Sequence, residues 1–369
     1  MTGIRRISDL GTQGVKTILD GSVQTADIAN NAVTQAKLST DVPLSGMRNN
    51  IINGDFKINQ RQLLSRSTTG YLHDRWRLEC AGGSTTYSTQ AFTLGNEISG
   101  FEPANFAQLA VSGQSSASHY SVLHQYIEGV RTFAGQTVTV SFYARATSGT
   151  PKISLELAQY FGTGGSPSNT VNTNGGIVTL STTWSRYSLT VAVPSISGKT
   201  VGSVDDALIV QFWLSGGSDY SARINSMGIQ NSTFQIWGIQ AEPNVQATPL
   251  EIRPHALELQ LCQRYYYELR GWGFDDGLCQ GHYYSTTQLW CVIQHPVQMR
   301  KGPVFALANG VYNAYAISQG NPVTTAAQYS GTPQTSTVYF SVLNARTHGV
   351  GGWIATAAGI MYFNSEYFG

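Results

Sequence analysis

Residues 20–39, DGSVQTADIANNAVTQAKLS, place their large aliphatics five apart, at Val23, Ile28, Val33 and Leu38, with Ile18 extending the series upstream. An α-helix brings side chains to one face every three or four residues and a strand every two, so neither ordinary element accommodates this spacing. Read in tens, the segment becomes DGSVQTADIA followed by NNAVTQAKLS, with Val23 over Val33, Ala26 over Ala36 and Ile28 over Leu38. Two copies of so small a unit cannot enclose a core within one chain, because repeats become stable only by covering each other's apolar faces. Two solutions remain open. One is a solvated, partly disordered tether; the other is several parallel chains wound about a common axis with these five aliphatics inward.

The rest of the chain has a different character. Up to about residue 46 aromatics are scarce; from NNIINGDFKINQR onward they appear regularly, and apolar runs alternate with period two. QTVTVSFYARA puts Val138, Val140, Phe142 and Ala144 on one face, and ALIVQFWLS does the same with Leu208, Val210, Phe212 and Leu214. KISLELAQYF, SRYSLTVAV and TFQIWGIQAE follow the same pattern, separated by Gly, Ser, Asn and Pro. Many strands and no sustained helical period point to an antiparallel sandwich of the jelly-roll kind.

Only 12% of the 369 residues are charged and the formal net charge is +1, so the surface is polar through hydroxyls and amides rather than ions. Without a basic cluster, electrostatic binding to nucleic acid or an anionic membrane is not expected. No run approaches the roughly 18 apolar residues of a membrane span, so membrane insertion is not expected either. The two arginines near the start are not followed by the apolar stretch of a secretory signal. Four cysteines are too few for a disulfide scaffold; they read as free thiols, with a Cys279–Cys291 cross-strand bridge as the alternative.

Several segments resemble bacteriophage tail fibres and related virion proteins. NGDF, DRW, VTVSFYARA, TTWSRYSLTV and IWGIQAEPNVQATPLEIRP are similar, in that order, to the carbohydrate-binding-module-like, galactose-binding-like jelly rolls of such fibres, over roughly residues 49–254. ELQLCQRY is similar to the segment that often follows them, HPVQMRKGPVF to a line seen in fibre tips, and the five-residue repeat to their shafts. The resemblance implies an all-β chain: an extended N-terminal trimeric stem with a virion-attachment segment (1–46), a jelly-roll β-sandwich (47–254), a short helical junction (255–270) and a C-terminal β-sandwich forming a receptor-binding tip (271–369). Ile18, Val23, Ile28, Val33 and Leu38 would then be the stem's trimer contacts. The implied function is that of a non-enzymatic structural tail fibre in the virion, assembled in the host cytoplasm. It would be homotrimeric, bound to other tail, baseplate or capsid proteins, and would attach to host surface polysaccharide or lipopolysaccharide. The same modules would also serve a capsid-decorating or head-fibre protein or a tail connector, and a glycan-hydrolysing tailspike is the third reading.

Hydrolysis would need two carboxylates about 5–9.5 Å apart. Asp205 with Asp206, Asp275 with Asp276, and Glu251 with Glu258 are the acid pairs in view, and each reads as solvated loop acids. Cys279, His282, Cys291 and His295 form Cys-x2-His and Cys-x3-His pairs of the donor types that hold Zn²⁺, though on a hairpin the first pair does not share a face. Asp55 of NGDF and Glu242 resemble positions that hold a structural Ca²⁺ in some relatives of the jelly roll. No cofactor is otherwise expected. Aromatic rings stack on the apolar faces of sugars, and Trp272, Tyr283, Tyr284, Tyr312, Tyr315 and Trp353 are the glycan-binding candidates in the aromatic-rich last hundred residues.

Overall fold

A computed structural model describes residues 47–95, 98, 100–270, 276–308, 312–316, 319–343, 351–356 and 360–367, which belong to one unit spanning 47–369. The five-residue repeat, with Ile18, Val23, Ile28, Val33 and Leu38, lies outside them, as do Trp272 and Asp275. Among the described residues no helix is long and apolar enough to cross a membrane.

The first twelve strands are β1 (Ser65–Arg66), β2 (Gly70–Tyr71), β3 (Arg77–Ala81), β4 (Ser84–Ala91), β5 (Asn105–Ser112), β6 (Tyr120–Glu128), β7 (Thr137–Ala146), β8 (Lys152–Tyr160), β9 (Val171–Thr179), β10 (Ser185–Ala192), β11 (Ala207–Gly216) and β12 (Thr233–Glu242). They form two six-stranded antiparallel sheets, ordered β1-β4-β5-β12-β7-β10 and β2-β3-β6-β11-β8-β9. Alternation decides the core: Val138, Val140, Phe142 and Ala144 of β7 face Leu208, Val210, Phe212 and Leu214 of β11, with Leu155 and Trp76 filling between. β11 is buried along its whole length, so its second face, bearing Ile209, Gln211 and Trp213, is covered too.

NGDF is a structural corner. Asn53 adopts φ 58°, a conformation asparagine tolerates, and its buried amide spans the Ile58 and Asp74 carbonyls at 2.8 and 3.0 Å. Gly54 lies against β12 so closely that a Cβ would stand 2.2 Å from the Ile239 carbonyl oxygen.

One α-helix stands among the described residues, α1 (His255–Gln263), and it follows Pro254. Its buried face carries Cys262 and Glu258, and the Glu258 carboxylate accepts the Asn53 amide and pairs with Arg253 at 3.2 Å. The remaining strands are β13 (Tyr266–Arg270), β14 (Asp276–Ser285), β15 (Gln288–Gln294), β16 (Val304–Ala308), β17 (Tyr312–Ala316), β18 (Gln319–Gly331), β19 (Thr335–Val342), β20 (Gly351–Thr356) and β21 (Ile360–Asn364). Here the expected second sandwich is corrected: β14-β15-β19-β18-β17-β20 closes into a barrel, with β20 pairing β14 on one side and β17 on the other. Closure removes the exposed edges that a small sandwich would leave. Tyr283, Leu289, Cys291, Val338, Phe340 and Ile354 fill it, and the three-stranded sheet β13-β21-β16 adds Met361 and Phe363.

The segments that carried the family resemblance meet along one seam. In DRW, Trp76 enters the sandwich core, Asp74 pairs with Arg61 at 2.9 Å, and buried Arg75 pairs with Glu366 near the chain's end. The Arg75 guanidinium also lies 3.3 Å over the Tyr265 ring. Tyr367 stacks on Tyr126 at 4.9 Å and its carbonyl accepts the Tyr71 hydroxyl at 2.6 Å. Arg300 of VQMR reaches Asp205 at 2.6 Å and covers the Tyr367 ring at 3.9 Å, while Arg264 of CQRY pairs with Glu128 at 2.6 Å.

Candidate functional site

The outer face of the sheet β2-β3-β6-β11-β8-β9 holds a groove of about 330 Å³. Alternation sends Tyr120, Val122, His124 and Tyr126 of β6 and Ile209, Gln211 and Trp213 of β11 to this face, opposite the core. The seam covers one end of the face, where Tyr265 and Tyr367 pack on Tyr126 and Ile209. A short 3-10 turn, Ser218–Tyr220, borders the other and sets Tyr220 against Tyr120 at 5.0 Å and Trp213 at 5.4 Å. The three rings form a wall, and Arg223 lies 4.7 Å over Trp213.

Glu156 of β8 organises the floor. It is fully buried and accepts Arg223 through two nitrogens at 3.0 and 2.8 Å, the Trp213 indole at 3.0 Å and the Gln211 amide at 3.1 Å. Three of these donors converge on Oε2 and one on Oε1, and together they hold Trp213 and Gln211 in one orientation. Across the groove, Glu79 accepts Arg77 at 2.9 Å and the Tyr120 hydroxyl at 3.3 Å. Burial, with Arg77 adding to it, holds His124 at about 3, neutral at ordinary pH; the Glu79 carboxylate is 3.8 Å away but is engaged by Arg77. Glu79 and Glu156 lie on strands three places apart, and each carboxylate is held by its own arginine, Arg77 and Arg223.

The barrel carries a second aromatic surface. Trp290 of β15 stacks on Tyr284 at 4.5 Å and 29°, and meets Tyr329 at 4.7 Å and Tyr339 at 6.2 Å. Tyr284 and Tyr329 both sit at ladder irregularities, between Tyr283 and Ser285 and between Gln328 and Ser330. Such bulges re-aim side chains, and these two remain 53% and 67% exposed.

The other sequence candidates fall in several places. Tyr283 and Tyr312 are buried barrel residues, the Tyr312 hydroxyl donating to the Ala308 and Ile360 carbonyls at 3.1 and 2.8 Å, so neither presents a ring to a ligand. Trp353 lines a shallow depression with Gly277, Leu278, Cys279 and Gln280, and only the backbone of Tyr315 is described. The Cys279 and Cys291 thiols are free and adjacent, whereas His282 is exposed and His295 bonds Ser336 at 3.1 Å. The zinc tetrad is therefore not assembled: no three His, Cys, Asp or Glu side chains converge as a metal site among the described residues.

Both acids of the calcium pair are engaged by protein donors. Asp55 pairs with Lys57 at 3.0 Å, and Glu242 accepts the Thr248 amide and hydroxyl at 2.8 and 2.7 Å and the Gln240 amide at 2.8 Å. The acids read as solvated are engaged instead. Asp205 holds Arg300 and Lys301, Asp206 accepts the Val130 amide at 2.7 Å, Glu251 accepts the Arg48 amide at 2.7 Å, and Glu258 holds Arg253; the Asp276 side chain is not among those described. Sequence reading passed over the groove, although Tyr120, His124, Tyr126 and Trp213 on the face opposite the core were its available signal.

No family model matches the chain and no curated protein matches it. Among solved structures, it is similar to a family 11 carbohydrate-binding module from Clostridium thermocellum in complex with a β-1,3-1,4-mixed-linked tetrasaccharide (10% identity, TM-score 0.31, 49% of this chain and 100% of that one). It is also similar to a putative sugar binding protein from Bacteroides thetaiotaomicron (13%, 0.32, 53% and 100%). A third is the CBM22-1 xylan-binding domain of Paenibacillus barcinonensis Xyn10C (12%, 0.29, 50% and 95%). Likeness at this level assigns no ligand to this chain. The described fold is all-β, a two-sheet sandwich joined to a closed barrel.

Proposed function

We propose that this protein is a non-enzymatic, glycan-binding fibre subunit of a bacteriophage virion, homotrimeric through its five-residue repeat. It would attach to the virion by its N-terminal region and to host surface polysaccharide or lipopolysaccharide by its β-modules. The observation that carries the binding reading is the groove wall: half-buried Tyr120 and Tyr220, with Arg223, stand over buried Trp213 and Gln211, which Glu156 holds in place. The platform of Tyr284, Trp290 and Tyr329 supports a second contact point on the barrel. The fibre reading rests on the sequence resemblance and the repeat. Three copies would turn weak single-site contacts into firm adhesion by effective concentration.

The test is adsorption competition with the purified full-length chain, its Tyr220→Ala and Tyr329→Ala variants, and a mass measurement by light scattering. The expected results are about three times 39.9 kDa, blocked phage attachment, and weaker blocking by at least one variant. A monomer mass sinks the trimer, failure of the wild-type chain to block sinks the receptor-binding role, and loss of viscosity in a host-polysaccharide solution reinstates the hydrolase.

A further inference from the structure

We propose that the cleft between the sandwich and the C-terminal sheet, walled by Arg61, Arg66 and Arg77 on one side and Tyr266, Tyr362 and Asn364 on the other, binds the acid group of an anionic sugar, a uronate or a sugar phosphate. It opens to about 410 Å³, within the range of small-molecule sites, and lies apart from both the groove and the barrel platform.

Its charges do not cancel. Arg61 is matched by buried Asp74 at 2.9 Å and Arg77 by Glu79 at 2.9 Å, while Glu268, the acid lining the cleft, is held by Arg270 and accepts the Tyr266 hydroxyl. Arg66 has no carboxylate partner among the described residues. Its Nη1 reaches only the Thr68 hydroxyl at 3.5 Å and the Thr69 carbonyl at 3.3 Å, and its Nε is buried without a hydrogen-bond acceptor. Gly70 lets this guanidinium lie on the backbone, for a Cβ there would stand 2.4 Å from Nη1. Burial and repulsion from Arg61 and Arg77 lower the pKa of Arg66, so an anion in the cleft relieves a penalty already present in the fold.

A carboxylate or phosphate oxygen pair matches the fork of a guanidinium. On the remaining wall Tyr266 is buried beneath Arg61, which lies 3.6 Å over its ring, and the half-buried Tyr362, 5.8 Å from Tyr266, is the ring left to meet a pyranose, with Thr69 and Asn364 beside it. The anion part stands on this geometry alone; the saccharide part rests on the glycan-binding reading above.

Calorimetric titration of the full-length protein with glucuronate, glucose 6-phosphate, glucose and inorganic phosphate tests it. At least one acidic sugar should bind about tenfold or more tighter than glucose, weaken as salt rises, and lose about tenfold in Arg66→Gln with partial recovery in Arg66→Lys. Equal affinity for glucose, no binding of either acidic sugar, or an unchanged affinity in Arg66→Gln overturns the proposal. Inorganic phosphate binding as tightly as the acidic sugars overturns its saccharide part. Circular dichroism and the melting temperature of Arg66→Gln separate loss of the site from loss of the fold. Cell adhesion retained in Arg66→Gln but lost in Tyr220→Ala would leave the functional reading standing whatever the titrations give.

Discussion

Acidification from pH 7 to pH 5 should destabilise the folded chain by about 2–3 kcal/mol through the three buried groups with the largest shifts, and the downward shift that burial gives His295 acts in the same direction. Burial depresses both His73 and His124 to about 3, against 6.5 in the unfolded chain. Below pH 6.5 the unfolded state therefore binds protons that the folded state refuses, and stability falls as pH falls. Each histidine contributes a loss of about 2 kcal/mol between pH 7 and 5. Asp74 acts in the opposite sense. Burial raises its carboxyl to about 6 despite Arg61, so between 3.8 and 6 the folded state holds the extra proton and stability rises as pH falls, recovering about 1 kcal/mol.

The net loss corresponds to roughly 5 °C in melting temperature for a unit of this size. The assay is urea unfolding followed by tryptophan fluorescence at pH 7, 6 and 5, on the wild type and on His124→Gln. His124 is the cleaner site because its Nε2 has no hydrogen-bond partner among the described residues, whereas His73 bonds the Tyr87 hydroxyl at 2.7 Å and the Thr89 hydroxyl at 3.0 Å. In His124→Gln the pH-dependent loss should shrink below about 1 kcal/mol, whatever the substitution does to stability at pH 7. A wild-type stability that is flat from pH 7 to 5, or an unaltered slope in the variant, would refute the burial argument.

Other consequences follow from the seam and the surfaces. Glu366→Ala strands the buried Arg75 charge and should cost about 3–5 kcal/mol in denaturant unfolding, while the double variant Arg75→Met/Glu366→Leu recovers most of it; equal cost in both would show that the pair is not the cause. Gly54→Ala drives a Cβ into the Ile239 carbonyl and should lower the urea midpoint by the equivalent of about 1–3 kcal/mol, so a wild-type midpoint would contradict the close approach. Tyr329→Ala should leave stability within about 0.5 kcal/mol yet weaken adhesion to host cells, and unchanged adhesion would remove the barrel platform from the binding reading.

What was legible in the chain followed from short-range periodicity. Period-two alternation identified β7, β8, β10, β11 and β12 and the inward faces of β7 and β11, because in a sandwich the pleat alone sorts side chains between core and outside. The helix α1 lies within the short helical junction that the resemblance implied over 255–270. Where two structures share one local pattern, the sequence could not choose. A barrel and a sandwich both consist of alternating strands, and only the pairing of β20 with both β14 and β17 closes the barrel. The motifs NGDF, DRW, CQRY and VQMR were visible, but not their purpose: Asn53 meets Glu258, Arg75 meets Glu366 and Arg300 meets Asp205 across 205, 291 and 95 residues of chain.

The sites show the same division. Composition by itself determined that the surface is polar mainly through amides and hydroxyls, because only 12% of the residues carry charge. Tertiary structure decided which rings are available: burial removed Tyr283 and Tyr312, bulges turned Tyr284 and Tyr329 outward beside Trp290, and Tyr120 and Tyr220 came together over Trp213 along the groove. Side-chain type is a property of one residue. Exposure and convergence are properties of strands brought together from distant parts of the chain, and no local pattern records them.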